Sequence, residues 1–124
     1  MDPKDENLYT EQINKVQDYI ENHLDEPLTI KDLSLIANFS EYHFQRIYGY
    51  MTGESLYGFI KRIRLEKAAY MLLSNKDRPI INIAMAVGFS NQASFAKAFK
   101  SKYGVSSSSY RRENGNVNEK GLVK

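Results

Sequence analysis

The 124-residue chain contains no cysteine. That excludes a thiol nucleophile, a thiolate zinc site and a disulfide framework. Histidine occurs twice, and neither copy stands in a carboxylate or cysteine pattern that would build a metal or catalytic site. His23 falls in the last turn of a helical pattern, where a cation complements the helix dipole. No metal, no cofactor and no enzymatic role are therefore expected. No apolar run is long enough for a membrane span, and no secretory signal opens the chain. The expectation is a soluble, cytoplasmic protein without a membrane partner. Proline is scarce too, at three residues, and Pro27 and Pro79 each stand at a break between helical patterns.

Net charge is small, +2, but it is unevenly divided. Residues 1–28 carry eight acids against Lys4 and Lys15, a net −6. Residues 29–112 carry thirteen bases against five acids, a net +8. The remaining tail sums to zero. A basic stretch of that extent suits a polyanionic partner. With 42% hydrophobic residues the chain can bury a core, although halves of about fifty residues would be marginal alone.

What is present is a repeat. From Ile80, residues Ile83, Ala84 and Val87 recur at helical spacing. Gly88 follows as the residue best able to take a left-handed turn at a helix end. Ser90 reads as an N-cap for the next helix, which turns Phe95, Ala98 and Phe99 inward and leaves a polar, basic face outward. Helix, glycine turn, then helix with an exposed basic face is the pattern of a helix-turn-helix DNA reader. Fifty residues earlier the pattern already occurs: Ile30 falls on Ile80, Leu33 on Ile83, Phe39 on Phe89 and Ser40 on Ser90. After the turn the offset becomes 51, with Phe44 on Phe95, Arg46 on Lys97, Tyr48 on Phe99 and Gly53 on Gly104. Asn38 stands where Gly88 does, and Asn is the residue that most readily joins Gly in the left-handed region. Two copies are too few for a solenoid; a tandem pair of readers accounts for them.

The remaining chain fits around this pair. Residues 1–9 are polar and expected to be flexible. A first helix is expected from Thr10, with Ile13, Val16, Ile20 and Leu24 on one face. That helix belongs to the first helix-turn-helix subdomain, residues 10–53, in which Thr29 opens the first repeat helix. A long helix over residues 54–74 presents Leu56, Phe59, Ile60 and Ile63 on one stripe. Leu65, Ala68, Ala69, Leu72 and Leu73 continue that stripe on a rotated face, as a connector would. Gly58 within it suggests close packing. The second subdomain covers residues 75–112, with Ser106 capping a short last helix and Tyr110 turned back to the core. Residues 113–124, rich in Gly and Asn, read as a disordered tail or linker stub.

These residues resemble the DNA-binding domain of the AraC/XylS family of bacterial transcription regulators. The resemblance rests on Ile83-Ala84, Gly88-Phe89-Ser90, Phe95, Phe99-Lys100, Gly104 and Tyr110-Arg111 in the second half. In the first half it rests on Ser40, His43-Phe44-Gln45-Arg46, Thr52-Gly53 and Arg64-Leu65 with Ala68 and Leu72-Leu73. It covers about residues 10–112. Ser107 departs from the family pattern, which has proline there. The resemblance implies an all-α fold of about seven helices, two helix-turn-helix units and a linker helix, reading adjacent major-groove segments of double-stranded DNA. DNA-repair methyltransferases that share this reader need a methyl-accepting cysteine, which is absent.

A reading helix presents its outer face near its N-terminus to the base edges. The family's readers fall on Tyr42, Gln45 and Arg46 in the first helix. Gln45 suits adenine, Arg46 guanine and Tyr42 a thymine methyl. In the second helix the expected readers are Asn91, Gln92, Ala93, Ser94 and Lys97. A lysine there offers a point charge where arginine would fork, so the second half is expected to discriminate less sharply. Phosphate contacts are expected from Lys31, Ser40, Arg62, Ser90, Lys100 and Arg111. A connector of about twenty residues spans about 30 Å, close to the roughly 34 Å between successive major-groove faces. RNA polymerase and an effector-sensing domain outside this chain are further candidate partners. The competing expectation is a helical adaptor that binds protein and does not read DNA.

Overall fold

The structure, a computed structural model, describes residues 3–119. Seven helices follow one another over that range, and every regular element among the described residues is helical. They are α1 (Pro3–Asn22), α2 (Ile30–Ala37), α3 (Glu41–Thr52), α4 (Leu56–Ser74), α5 (Ile80–Ala86), α6 (Gln92–Tyr103) and α7 (Ser107–Glu119). The chain divides into two compact units, residues 1–62 and 63–124, and the dividing point lies inside α4.

The first unit is built on α1, α2, α3 and the start of α4. Ile13, Val16 and Ile20 of α1 are buried with Leu33 and Ala37 of α2 and Phe44, Ile47 and Tyr48 of α3. The period-3.6 stripe of α1 therefore does what its spacing requires. The helix begins at Pro3 rather than at Thr10. Proline is favoured at a first helical position because its missing N–H would have no partner there. Tyr9 also anchors this end, its ring meeting Phe39 edge-on at 5.5 Å and His43 at 5.9 Å. Residues 1 and 2 of the segment expected to be flexible lie outside the described residues. At the other end, Nδ1 of His23 lies 2.7 Å from the Tyr19 carbonyl oxygen. The ring stacks on Tyr19 at 3.9 Å, so this histidine finishes a helix.

In the second unit, Leu65, Ala68, Ala69 and Leu72 of α4 are buried with Ile83, Ala84, Val87, Phe95, Ala98 and Phe99. A chain of ring contacts runs through it: Phe89–Phe95 at 5.3 Å, Phe95–Phe99 at 5.6 Å, Phe99–Tyr103 at 4.5 Å and Phe99–Tyr110 at 5.4 Å. Tyr110 thus faces this core as its pattern suggested. Leu56, Phe59 and Ile60 in the first part of α4 are buried as well, whereas Ile63, at the crossover, is half-buried.

Caps close most of these helices. Thr29 Oγ1 accepts from the Asp32 N–H, Ser40 Oγ from His43, and Ser106 Oγ from Ser109. Gly53 and Gly104 sit at φ 78° and 79° at the ends of α3 and α6, the left-handed conformation in which a side chain is strained. Gly58 has a different reason from the one expected. A Cβ there would lie 3.0 Å from the hydroxyl of Ser55, which accepts the Gly58 N–H at the start of α4. The last helix extends to Glu119, so residues 113–119, expected in a disordered tail, are helical. Residues 120–124 lie outside the described residues. Ser107, the departure from the family pattern, is the first residue of α7 and is buried.

Candidate nucleic-acid interface

The two turns that precede the reading helices are built alike as far as their phenylalanines. Asn38 has φ 64° and Gly88 φ 104°. The Phe39 N–H reaches Ser34 O and the Phe89 N–H reaches Ala84 O, both at 3.0 Å. The Asn38 and Gly88 N–H groups reach Leu35 O and Met85 O at 3.1 and 3.0 Å. This is the Schellman arrangement that satisfies the last carbonyls of a helix. Then the copies diverge. In the first, Ser40 follows the phenylalanine directly and caps α3. In the second, one further residue enters, and the cap of α6 is Asn91, whose Oδ1 accepts the Ser94 N–H at 2.8 Å.

Ser90, expected as the cap, is therefore displaced by its neighbour. An Asn side chain caps as well as a Ser, and Asn91 has the extended backbone the position requires, at φ −154° and ψ 163°. The register of the two readers is set by these caps at an offset of 51. Glu41 corresponds to Gln92, Tyr42 to Ala93, His43 to Ser94, Gln45 to Ala96 and Arg46 to Lys97. Asn91 lies before the helix, with its side-chain carbonyl committed to the cap.

Each reading helix is twelve residues long and anchors one face in its unit. Phe44, Ile47 and Tyr48 are buried on α3, and Phe95, Ala98 and Phe99 on α6. Tyr48 is held further by Gln17, whose Nε2 donates to its hydroxyl at 3.0 Å. Burial pushes that phenol up to about 12. What remains outward is the set the spacing selected: Tyr42, Gln45 and Arg46 on α3, and Gln92, Ala93, Ser94 and Lys97 on α6, all exposed. The structure thus places the candidate base readers of each helix on one free face. Tyr42 and Arg46 are also joined to each other. The Arg46 Nη1 donates to the Tyr42 hydroxyl at 3.0 Å, and the guanidinium carbon lies 5.5 Å from the ring centre. The i, i+4 spacing was the available signal for this pair.

The candidate phosphate contacts separate into two groups. Lys31, Ser40, Ser90 and Lys100 are exposed. Arg62 and Arg111 are engaged within the fold. Arg62 pairs with Glu54 at 2.7 Å and lies over the Phe59 ring at 5.3 Å. Arg111 donates from Nε to Leu72 O and from Nη2 to Asn75 O, both at 3.0 Å. Its guanidinium thereby closes the C-terminal end of α4, where a cation also complements the helix dipole. Among the described residues there is no cluster of three or more His, Asp or Glu that could hold a metal ion. None of the helices is long and apolar enough to cross a membrane.

Residues 33–113 match the helix-turn-helix domain family. Over 99 residues the chain is 31% identical to the regulatory protein SoxS of Salmonella typhimurium, covering 80% of this chain and 92% of SoxS. The chain belongs to the AraC-type helix-turn-helix family. This helix-turn-helix domain is of the kind shared with transcription regulators. It is also 35% identical over 94 residues to the transcriptional regulator Rob of the same organism, covering 76% of this chain. The chain spans only about a third of Rob, 32% of its length. Among solved structures it resembles the C-terminal domain of AraT, a response regulator from Geobacillus stearothermophilus. The TM-score is 0.76 and the identity 35%, over 82% of this chain and 84% of that one.

Proposed function

We propose that this AraC-type chain acts in the bacterial cytoplasm, at the nucleoid, as a sequence-specific reader of duplex DNA with no catalytic role. Helices α3 and α6 each enter a major-groove segment of one duplex. The observation that carries this reading is the pair of capped helices, each with a buried aromatic face and a free polar one. Gln45 and Arg46 supply base contacts on the first helix, and Gln92, Ser94 and Lys97 on the second. Lys31 and Lys100, with Ser40 and Ser90 near the helix N-termini, face phosphates. Arg62 and Arg111 serve the fold, given their partners on Glu54 and on the carbonyls of Leu72 and Asn75. RNA polymerase and an effector-sensing domain are the partners through which binding would be converted into regulation.

The two helices are unequal readers. Arg46 can make two fixed hydrogen bonds to one guanine, whereas Lys97 offers a mobile charge. Arg46→Ala is expected to cost about 1–3 kcal/mol on the preferred site and to flatten preference at one base position. Lys97→Ala is expected to weaken binding evenly across sequences and to lower the salt slope by about one. Titrations of both variants on a selected site, its single-base variants and random duplex, at several salt concentrations, separate these outcomes. An equal loss on every duplex for Arg46→Ala would remove α3 from the role of principal reader. A wild-type chain that prefers no duplex over another would favour the protein-binding adaptor instead.

A further inference from the structure

We propose that Tyr42 acts as the positioning residue for Arg46, so that α3 presents a pre-oriented guanidinium where α6 presents an unheld lysine. This rests on the reading that α3 enters the major groove. Tyr42 is 71% exposed on the first turn of α3, so core packing does not account for an aromatic ring there. One turn later, Arg46 meets it twice: Nη1 donates to the phenol oxygen at 3.0 Å, and the guanidinium carbon lies 5.5 Å from the ring centre. The hydrogen bond fixes one end of the planar group, and the cation–π contact limits its swing about the long stem. An arginine has five N–H donors, and this bond uses one. The others are left to fork onto the O6 and N7 acceptors of a guanine.

An exposed arginine loses rotamer freedom on binding, and a partner that already restricts it lowers that cost. The restriction is absent from the second reader. At the matching positions α6 carries Ala93 and Lys97, and a methyl group can neither accept a hydrogen bond nor offer a ring face. The inequality between the readers therefore has two sources, the arginine fork and the tyrosine that aims it.

Tyr42→Phe tests this in the full chain, because it keeps the ring and removes the acceptor. Binding is titrated on the selected site, on its single-base variants and on random duplex, for Tyr42→Phe, Tyr42→Ala, Arg46→Ala and the double variants. Thermal melts verify that these exposed substitutions leave the fold intact. Tyr42→Phe is expected to reduce preference about two- to tenfold at the base position that depends on Arg46, with affinity for random duplex unchanged. In the Arg46→Ala background it is expected to do nothing more. Unchanged preference for Tyr42→Phe would overturn the proposal. So would a second base position that Tyr42→Ala alters in the Arg46→Ala background, which would make Tyr42 a reader in its own right. If Arg46→Ala lowers affinity equally on all duplexes, the assignment of α3 as reader falls and this proposal with it. That result is distinct from the two that overturn the pairing alone.

Discussion

Removing the Arg111 side chain tests whether this cation serves the fold or the DNA. Its guanidinium donates two hydrogen bonds of 3.0 Å, one to Leu72 O in a part-buried setting and one to Asn75 O in an exposed one. A bond to a charged group contributes about 1.5–3 kcal/mol when sheltered. The part-buried bond is therefore worth about 1 kcal/mol and the exposed one about half of that. A cation at a helix C-terminus adds about 0.5 kcal/mol. Arg111→Ala is expected to destabilise the domain by about 2 kcal/mol, lowering the melting temperature by roughly 6–10 °C. Arg111→Lys keeps the charge but loses the fork, so it should recover only a minor part. The assay is the urea midpoint at constant slope, combined with the salt dependence of duplex binding. Under this account the salt slope of Arg111→Ala stays at the wild-type value. A stability change below about 0.5 kcal/mol with a slope reduced by about one phosphate would refute it and return Arg111 to the DNA contacts.

Two further outcomes follow from the caps and the cores. Asn91→Ala is expected to cost about 1 kcal/mol through loss of the α6 cap, and Ser90→Ala less than about 0.5 kcal/mol; the reverse order in urea denaturation would put the cap back at Ser90. The Tyr48 phenol is raised from 10.0 to about 12, chiefly by burial. Its contribution to stability is therefore complete below pH 10 and is lost as pH rises through 12, because the unfolded chain releases that proton first. Tyr48→Phe should flatten this part of the stability–pH curve relative to wild type, and an unchanged curve would show that the phenol does not titrate with unfolding.

What was legible in the chain was local. Asn38, Gly53 and Gly104 announce left-handed helix ends, and Thr29, Ser40 and Ser106 announce caps, because each acts on a backbone group within a few residues. The outward face of α3 was legible for the same reason, since Phe44, Ile47 and Tyr48 fix its inward face by spacing alone. The cap of α6 departs from the expectation because Ser90 and Asn91 are adjacent and both are good caps. Identity with Ser40 favoured the serine, and only the extra residue in the second turn selects the asparagine. The start of α1 depends on Tyr9 meeting Phe39 and His43, and the role of Arg111 depends on carbonyls 36 and 39 residues earlier. Pairings at such separations leave no periodic trace in sequence. The α7 extension runs against its Gly- and Asn-rich composition. Within it, Asn114 donates its amide to the Tyr110 carbonyl at 3.0 Å, a helix-compatible use of a residue that also favours turns.

The most direct measurement is titration of the chain onto a duplex selected from a random library, beside random duplex, over a series of salt concentrations. The account predicts at least about a thousandfold preference for the selected site. It also predicts that affinity for both duplexes falls linearly with salt on logarithmic axes. Equal affinity for selected and random duplex, or binding that ignores salt, would contradict it.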